Sequence, residues 1–223
     1  MTSGDDRAPL ADPSPTPDFR ASTSGVGGPW CNACGGSAEG AGSRWTHVKR
    51  WAGRRSRWGG PVRSPPTLGW DVVERRLGTP LPADYKEFMR RFPSGMFRDV
   101  VCVFNPVQDE ESLARLVDEF EGMLLGVRIL WEEYDDDSFP PFPEPRGVIP
   151  FASDSSGGSL FWLPWHPDPD RWHVVFLSRN LAAGWTRTRR PMTAVMRQLA
   201  NSRSERNILG WDLAGKERDF EPF

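Results

Sequence analysis

Apolar residues recur with a regular period only from Thr67 onward, and that onset bounds what the chain can fold. Residues 1–43 are dominated by Pro, Gly, Ser and Ala, with few aliphatic or aromatic side chains. Ordering such a segment costs about 1–2 kcal/mol of backbone entropy per residue, and it has too little apolar area to offset that. Residues 1–65 are therefore expected to be a disordered extension. The chain has 22 Gly and 22 Pro in 223 residues, well above the ~12% combined usage of ordinary proteins.

The second half of that extension differs from the first. Residues 44–63 hold seven basic side chains (Arg44, Lys49, Arg50, Arg54, Arg55, Arg57, Arg63) and no acid, with Trp45, Trp51 and Trp58 interleaved. Residues 1–65 carry nine basic and five acidic residues, whereas residues 66–223 carry 19 and 25. The overall charge of −2 thus hides an acidic body of net −6 behind a basic arm of net +4. No apolar run approaches the ~18 residues of a membrane span. The first 17 residues lack the apolar core of a secretory signal. Three cysteines cannot build a disulfide framework and fit a reducing compartment. A cytoplasmic location is the expectation.

From Trp70 the periodicity specifies elements. Trp70, Val73 and Leu77 share one face of a short helix that Gly78 ends. Pro82 suits the first turn of a second helix, in which Tyr85, Phe88, Met89 and Phe92 align before Pro93-Ser94-Gly95 stops it. Val100 to Phe104 reads as a strand buried on both faces. Asp109 to Gly126 is expected to be a helix, its stripe being Leu113, Leu116, Val117, Phe120 and Leu124. Arg128 to Trp131 fits either a short strand or the end of that helix. Strands follow at Gly147–Phe151, Ser159–Leu163 and Trp172–Leu177, the first two joined by a turn at Asp154-Ser155-Ser156-Gly157-Gly158. A last helix carries Met192, Val195, Met196 and Leu199. This order predicts an α+β fold, an antiparallel-rich central sheet with helices packed on one side. The domain spans residues 66–202, and residues 203–223 form a polar, loose C-terminal tail.

Several local motifs carry a resemblance. They are Trp70-x-x-Val73-Glu74-x-x-Leu77-Gly78, then Leu81-Pro82-x-Asp84-Tyr85-x-x-Phe88, with Gly95 after the second helix. Gly147-Val148-Ile149-Pro150-Phe151-Ala152-x-Asp154-x-x-Gly157-Gly158 and the strand Val174-Val175-Phe176 follow. In order and spacing they resemble the SUKH superfamily, also called the SMI-one/KNR-four family, over roughly residues 66–200. The resemblance implies an α+β domain without catalytic residues. Bacterial members resemble immunity proteins that bind and neutralise polymorphic toxins, and a fungal branch is linked to cell-wall synthesis and signalling. The extension and a long insert, Glu132 to Arg146, depart from the family pattern.

Reactive chemistry is sparse. Cys31-x-x-Cys34 is half of a zinc-knuckle spacing, but zinc needs four ligands. His47 is the other ligand type nearby, and Cys102 falls in a strand, so no metal is expected. His166 and His173 have no partner nucleophile, because the Ser155-Ser156 turn lacks the Gly-x-Ser-x-Gly elbow. They are expected to be structural, as are Trp162, Trp165 and Trp172. Asp154 is expected to bond backbone N–H groups of its turn. No cofactor is implied. The basic Trp-bearing stretch could neutralise phosphates and stack on bases, although a solvated arm, or one folded back on the acidic body, is the favoured reading.

Glu132-Glu133-Tyr134-Asp135-Asp136-Asp137 places five acids in six positions. Such density needs water, a cation or a basic partner nearby. The exposed aromatics Phe139 and Phe142 follow as contact anchors. A partner-binding face of Glu132, Glu133, Asp135, Asp136, Asp137, Phe139 and Phe142 is therefore expected. The expected function is non-enzymatic: stoichiometric neutralisation of a cognate toxin, one that targets nucleic acid and so bears a basic cleft. The alternative is a regulatory scaffold of the same family in cell-wall or signalling work. Neither a small-molecule substrate, nor nucleic acid, nor a membrane is the expected partner.

Overall fold

A computed structural model describes residues 65–133, 139–180 and 184–223, and the backbone of residues 56–57. Expectations for the rest of the extension, including Cys31, Cys34, His47 and the basic Trp-bearing stretch, lie outside the described residues. So do those for Asp135, Asp136 and Asp137.

The body is α+β, with an antiparallel sheet. α1 (Trp70–Leu77) ends where Gly78 turns left-handed at φ 75° and returns its N–H to Glu74 O. The Glu74 carboxylate then accepts from Leu81 N at 2.7 Å and from Lys86 Nζ at 2.6 Å, tying α1 to the start of α2 (Ala83–Arg91). α3 (Glu110–Glu133) is longer than its apolar stripe predicts and absorbs Arg128 to Trp131 as helix. Asp109 starts it by accepting from Ser112 N at 2.7 Å. α4 is Met192–Asn201.

Among the described residues eight strands pair antiparallel: β1 (Ser56–Arg57), β2 (Gly95–Phe97), β3 (Val101–Val103), β4 (Ile149–Asp154), β5 (Ser159–Leu163), β6 (His173–Leu177), β7 (Trp185–Thr188) and β8 (Asp219–Pro222). Their order across the sheet is β1-β8-β2-β3-β4-β5-β6-β7. β3 through β7 run as a meander with the long α3 excursion between β3 and β4.

The helices occupy both faces of β5 and β6, which corrects the expectation of one side. Leu160, Trp162, Val174 and Phe176 join the cluster that holds α1, α2 and α4. Their strand neighbours Phe161, Val175 and Leu177 join Met123, Val127 and Leu130 of α3. Successive side chains of a strand point to opposite faces, so the C-terminal half of α3 packs on the far side. Both faces are apolar in β5 and β6, and each needs a cover.

The expectation of a loose tail at 203–223 is also corrected. Ile208, Leu209, Leu213 and Phe220 are buried, and β8 sits between β1 and β2. Phe220 packs 4.5 Å from Phe97 and 5.4 Å from Phe92, ring centre to ring centre. Gly95 pairs with Pro222, and a Cβ there would come within 2.5 Å of Glu221 O and 2.6 Å of Phe220 Cε2.

Arg98 fastens the same segment. It lies in the turn between β2 and β3, where it and Asp99 both have positive φ, 55° and 54°. Its buried guanidinium donates to the carbonyls of Leu199, Ala200 and Ser202 at the end of α4, and to those of Leu213, Lys216 and Glu217. Burial, then the charge of Arg218, lower its pKa from the ordinary value. Six carbonyl dipoles hold the cation in place of a carboxylate.

Candidate protein-binding surface

The residues that carry the sequence motifs are committed to the scaffold. Trp70 meets the Tyr85 ring at 5.8 Å, and Tyr85 meets Trp162 edge-on at 5.0 Å. Tyr85 gives its hydroxyl to Phe104 O at 3.4 Å, and burial pushes its phenol pKa upward. Asp84 accepts from both the N–H and the hydroxyl of Thr193 at the start of α4. Asp154 organises its turn as expected: Oδ1 accepts from Ser156 N, Ser156 Oγ and Gly158 N at 2.7–2.8 Å. Gly158 is required there, because a Cβ would sit 2.7 Å from the Phe176 ring. Asn105 plays a comparable part unforeseen from sequence, its amide bridging Met89 O and Phe92 O at 2.6 and 2.7 Å.

The potentially reactive side chains are dispersed. Cys102 is buried in β3. Among the described residues, no group of three or more His, Cys, Asp or Glu could hold a metal ion, and no helix is long and apolar enough to cross a membrane. His166 belongs to the loop between β5 and β6. Its Nδ1 accepts from Asp168 N at 2.9 Å, and its Nε2 lies 2.9 Å from the Arg171 guanidinium. His173 stacks on Trp165 at 4.8 Å. Burial, then the charge of Arg189, lower its pKa. Trp162 and Trp172 are core residues, whereas Trp165 is exposed.

The outer flank of α3 is the surface with a composition of its own. Leu125 and Ile129 are 48% and 40% exposed, the only large apolar side chains besides Trp165 and Phe223 in that condition among the described residues. They stand four apart, so they are neighbours on one helix face. Asp118, Glu121, Glu132 and Glu133 are exposed along the same helix, and none has a basic partner among the described residues. Gly122 lies between them, with nothing within 4 Å of where its Cβ would be. The flank is thus an apolar pair rimmed by unneutralised carboxylates, with a shallow step at Gly122. Sequence reasoning missed Ile129 because it ended the helix at Gly126, and passed over Leu125 because that residue lies off the apolar stripe of the expected helix. Their spacing against the inward Met123, Val127 and Leu130 was the available signal.

Two of the expected contact residues, Glu132 and Glu133, are exposed at the C-terminal end of this flank. The expectation of exposed aromatics after them is corrected. Phe139 is half-buried, edge-on to Trp185 at 5.0 Å and under the Arg187 guanidinium at 4.5 Å. Phe142 is half-buried against the core, 6.3 Å from Phe120. Proline-rich chain is not free here: Pro141 bridges Val148, and Val148 N donates to Pro140 O at 2.8 Å. That closure turns both rings inward.

A sequence model described as the SMI1 / KNR4 family (SUKH-1) matches residues 70–205. The match opens at the first residue of α1 and closes just past α4, leaving β8 outside it. No curated protein and no solved structure matches the chain.

Proposed function

The chain belongs to the SMI1 / KNR4 family (SUKH-1), and on that premise we propose that its body is a non-enzymatic module that neutralises a cognate polymorphic toxin. It acts in the cytoplasm, by one-to-one, non-covalent occlusion of the toxin's working surface. The observation that carries this reading is the α3 flank, where Leu125 and Ile129 are displayed inside a rim of Asp118, Glu121, Glu132 and Glu133. Exposed apolar groups supply the desolvated centre of an interface. The surrounding carboxylates steer a basic partner and raise the association rate. A toxin that acts on nucleic acid carries such a basic cleft, and the net −6 body suits it. The motif residues support the same reading, since they build a scaffold on which an outer helix flank can vary without loss of fold.

The test uses the full chain and the product of any toxin-like gene found beside its own, and the lack of such a gene counts against the reading. A one-to-one complex by native mass spectrometry and rescue of growth on co-expression are expected. Leu125→Ser with Ile129→Ser, at exposed positions, should keep the thermal transition and lose the rescue. Association should slow as salt rises. Rescue that survives this double substitution and is indifferent to salt would overturn the assignment. So would turnover of a substrate that a single polar substitution abolishes. Recovery of cell-wall synthesis or signalling proteins in place of a toxin would favour the scaffold reading of the same family.

A further inference from the structure

β7 closes one side of the sheet. β6 pairs with its inner edge from Trp185 to Thr188, and no strand among the described residues pairs with its outer edge. The chain there runs Trp185-Thr186-Arg187-Thr188-Arg189-Arg190, with no acid. Arg187, Arg189 and Arg190 are exposed, and none has a carboxylate partner among the described residues.

The register places these side chains. Trp185 faces Leu177 and Arg187 faces Val175, so both stand on the sheet face that carries α3. Leu163 faces His173 on that same side. Beyond His173 lies Trp165, 44% exposed and held from several directions. His173 stacks on it at 4.8 Å and 29°, and the Arg171 guanidinium lies 5.4 Å from its ring centre. Its own Nε1–H is given to Arg171 O at 2.7 Å. The result is a row in which aromatic rings alternate with cations, bordered by an open strand edge.

We propose that the outer edge of β7 takes up an extended, acidic segment of a partner protein as an added antiparallel strand. An unpaired edge offers a line of backbone donors and acceptors that an incoming strand satisfies. Alternate carboxylates on that strand meet Arg187 and Arg189 as cross-strand pairs. The same arginines reject the competing occupants. Two β7 edges in antiparallel contact would set arginine against arginine, which disfavours a second copy. The Trp165 and Phe139 rings are already engaged by His173, Arg171 and Arg187, which leaves poor platforms for stacked bases. This surface is distinct from the α3 flank and does not depend on the toxin reading.

The test is hydrogen exchange on the full chain with a synthetic probe, the capped peptide Thr-Glu-Val-Glu-Thr-Glu-Val-Glu. The control peptide has Lys at every Glu position. The acidic peptide should bind and protect the outward-facing amides among residues 185–188, those not bonded to β6, and the lysine peptide should do neither. R187E with R189E should weaken binding by about tenfold or more. Failure of the acidic peptide to bind overturns the proposal, as does binding that leaves exchange at 185–188 unaltered. Protection of the outward-facing amides of β7, those not bonded to β6, already present without peptide also overturns it: concentration-dependent protection means a second copy, and concentration-independent protection means a segment of this chain.

Discussion

The carboxylate of Asp84 on α2 holds the first turn of α4: its Oδ2 accepts the backbone N–H and the hydroxyl of Thr193, each at 2.9 Å. α4 begins after Pro191 with no side-chain cap of its own. The acid that would ordinarily sit just before the helix is supplied from another helix, where it also complements the positive end of the dipole. Asp84→Ala should therefore cost about 0.5–2 kcal/mol, the range for losing an N-cap. Asp84→Asn should fall between, keeping an acceptor and losing the charge. Urea denaturation measures both, and a double-mutant cycle with Thr193→Val should show coupling rather than additivity.

Arg98 should be far less replaceable. Its six carbonyl bonds are buried or half-buried. Arg98→Ala should cost about 3 kcal/mol or more, since unsatisfied buried groups each cost about 1–3 kcal/mol. Lysine cannot reproduce a planar fork with five donors, so Arg98→Lys should lose most of that amount too. Limited proteolysis should then cut first within residues 203–218.

Gly95 and Phe220 should report whether the C-terminal strand belongs to the fold. Phe220→Ala should destabilise by about 3–5 kcal/mol, as core aromatic truncations do. Gly95→Ala should also destabilise, because its Cβ would collide with strand backbone at Glu221 O. Thermal melts that leave either variant at the parent temperature would place β8 outside the cooperative unit.

Gly122→Ala on the α3 flank carries the opposite sign. The position is mid-helix and has open space around it. Alanine there should add about 0.5–1 kcal/mol of stability. If a toxin packs against this step, affinity should fall while the melting temperature rises, a split that no purely structural role produces.

His173 gives a pH signature. Burial, then Arg189, hold it below its ordinary value of 6.5. Between its folded value and 6.5 the unfolded chain binds more protons than the folded one, so stability falls as pH is lowered through that window. His173→Gln should flatten the dependence of melting temperature on pH between about 7.5 and 5.5.

Where one element buries a continuous apolar face, the chain announced it: α1, α2, α4 and strands β3 to β6 are legible from periodicity. The Asp154 turn was legible from its residue chemistry. β2, β7 and β8 were not, because Gly95–Phe97, Trp185–Thr188 and Asp219–Pro222 are three or four residues long with one or two apolar side chains each. Their strand character comes from partners far away in sequence. The division of helices between faces follows from Phe161 and Val175, which read equally well as members of a one-sided core. Of the candidate surface, the acids Glu132 and Glu133 were visible as composition. Ile129 acquired meaning only once α3 was seen to continue past Gly126, where it joins Leu125 on one exposed face.

β8 has a kinetic consequence. Arg98 and its carbonyl partner at Glu217 are 119 residues apart, and β2 meets β8 across a similar span. Contacts that close so large a loop form late. The meander from β4 to β7 can assemble from neighbours, leaving the β2 side as the final seam. A chain caught before that seam closes would show a bare strand edge beside Phe92 and Phe97, the place where this protein would begin to aggregate.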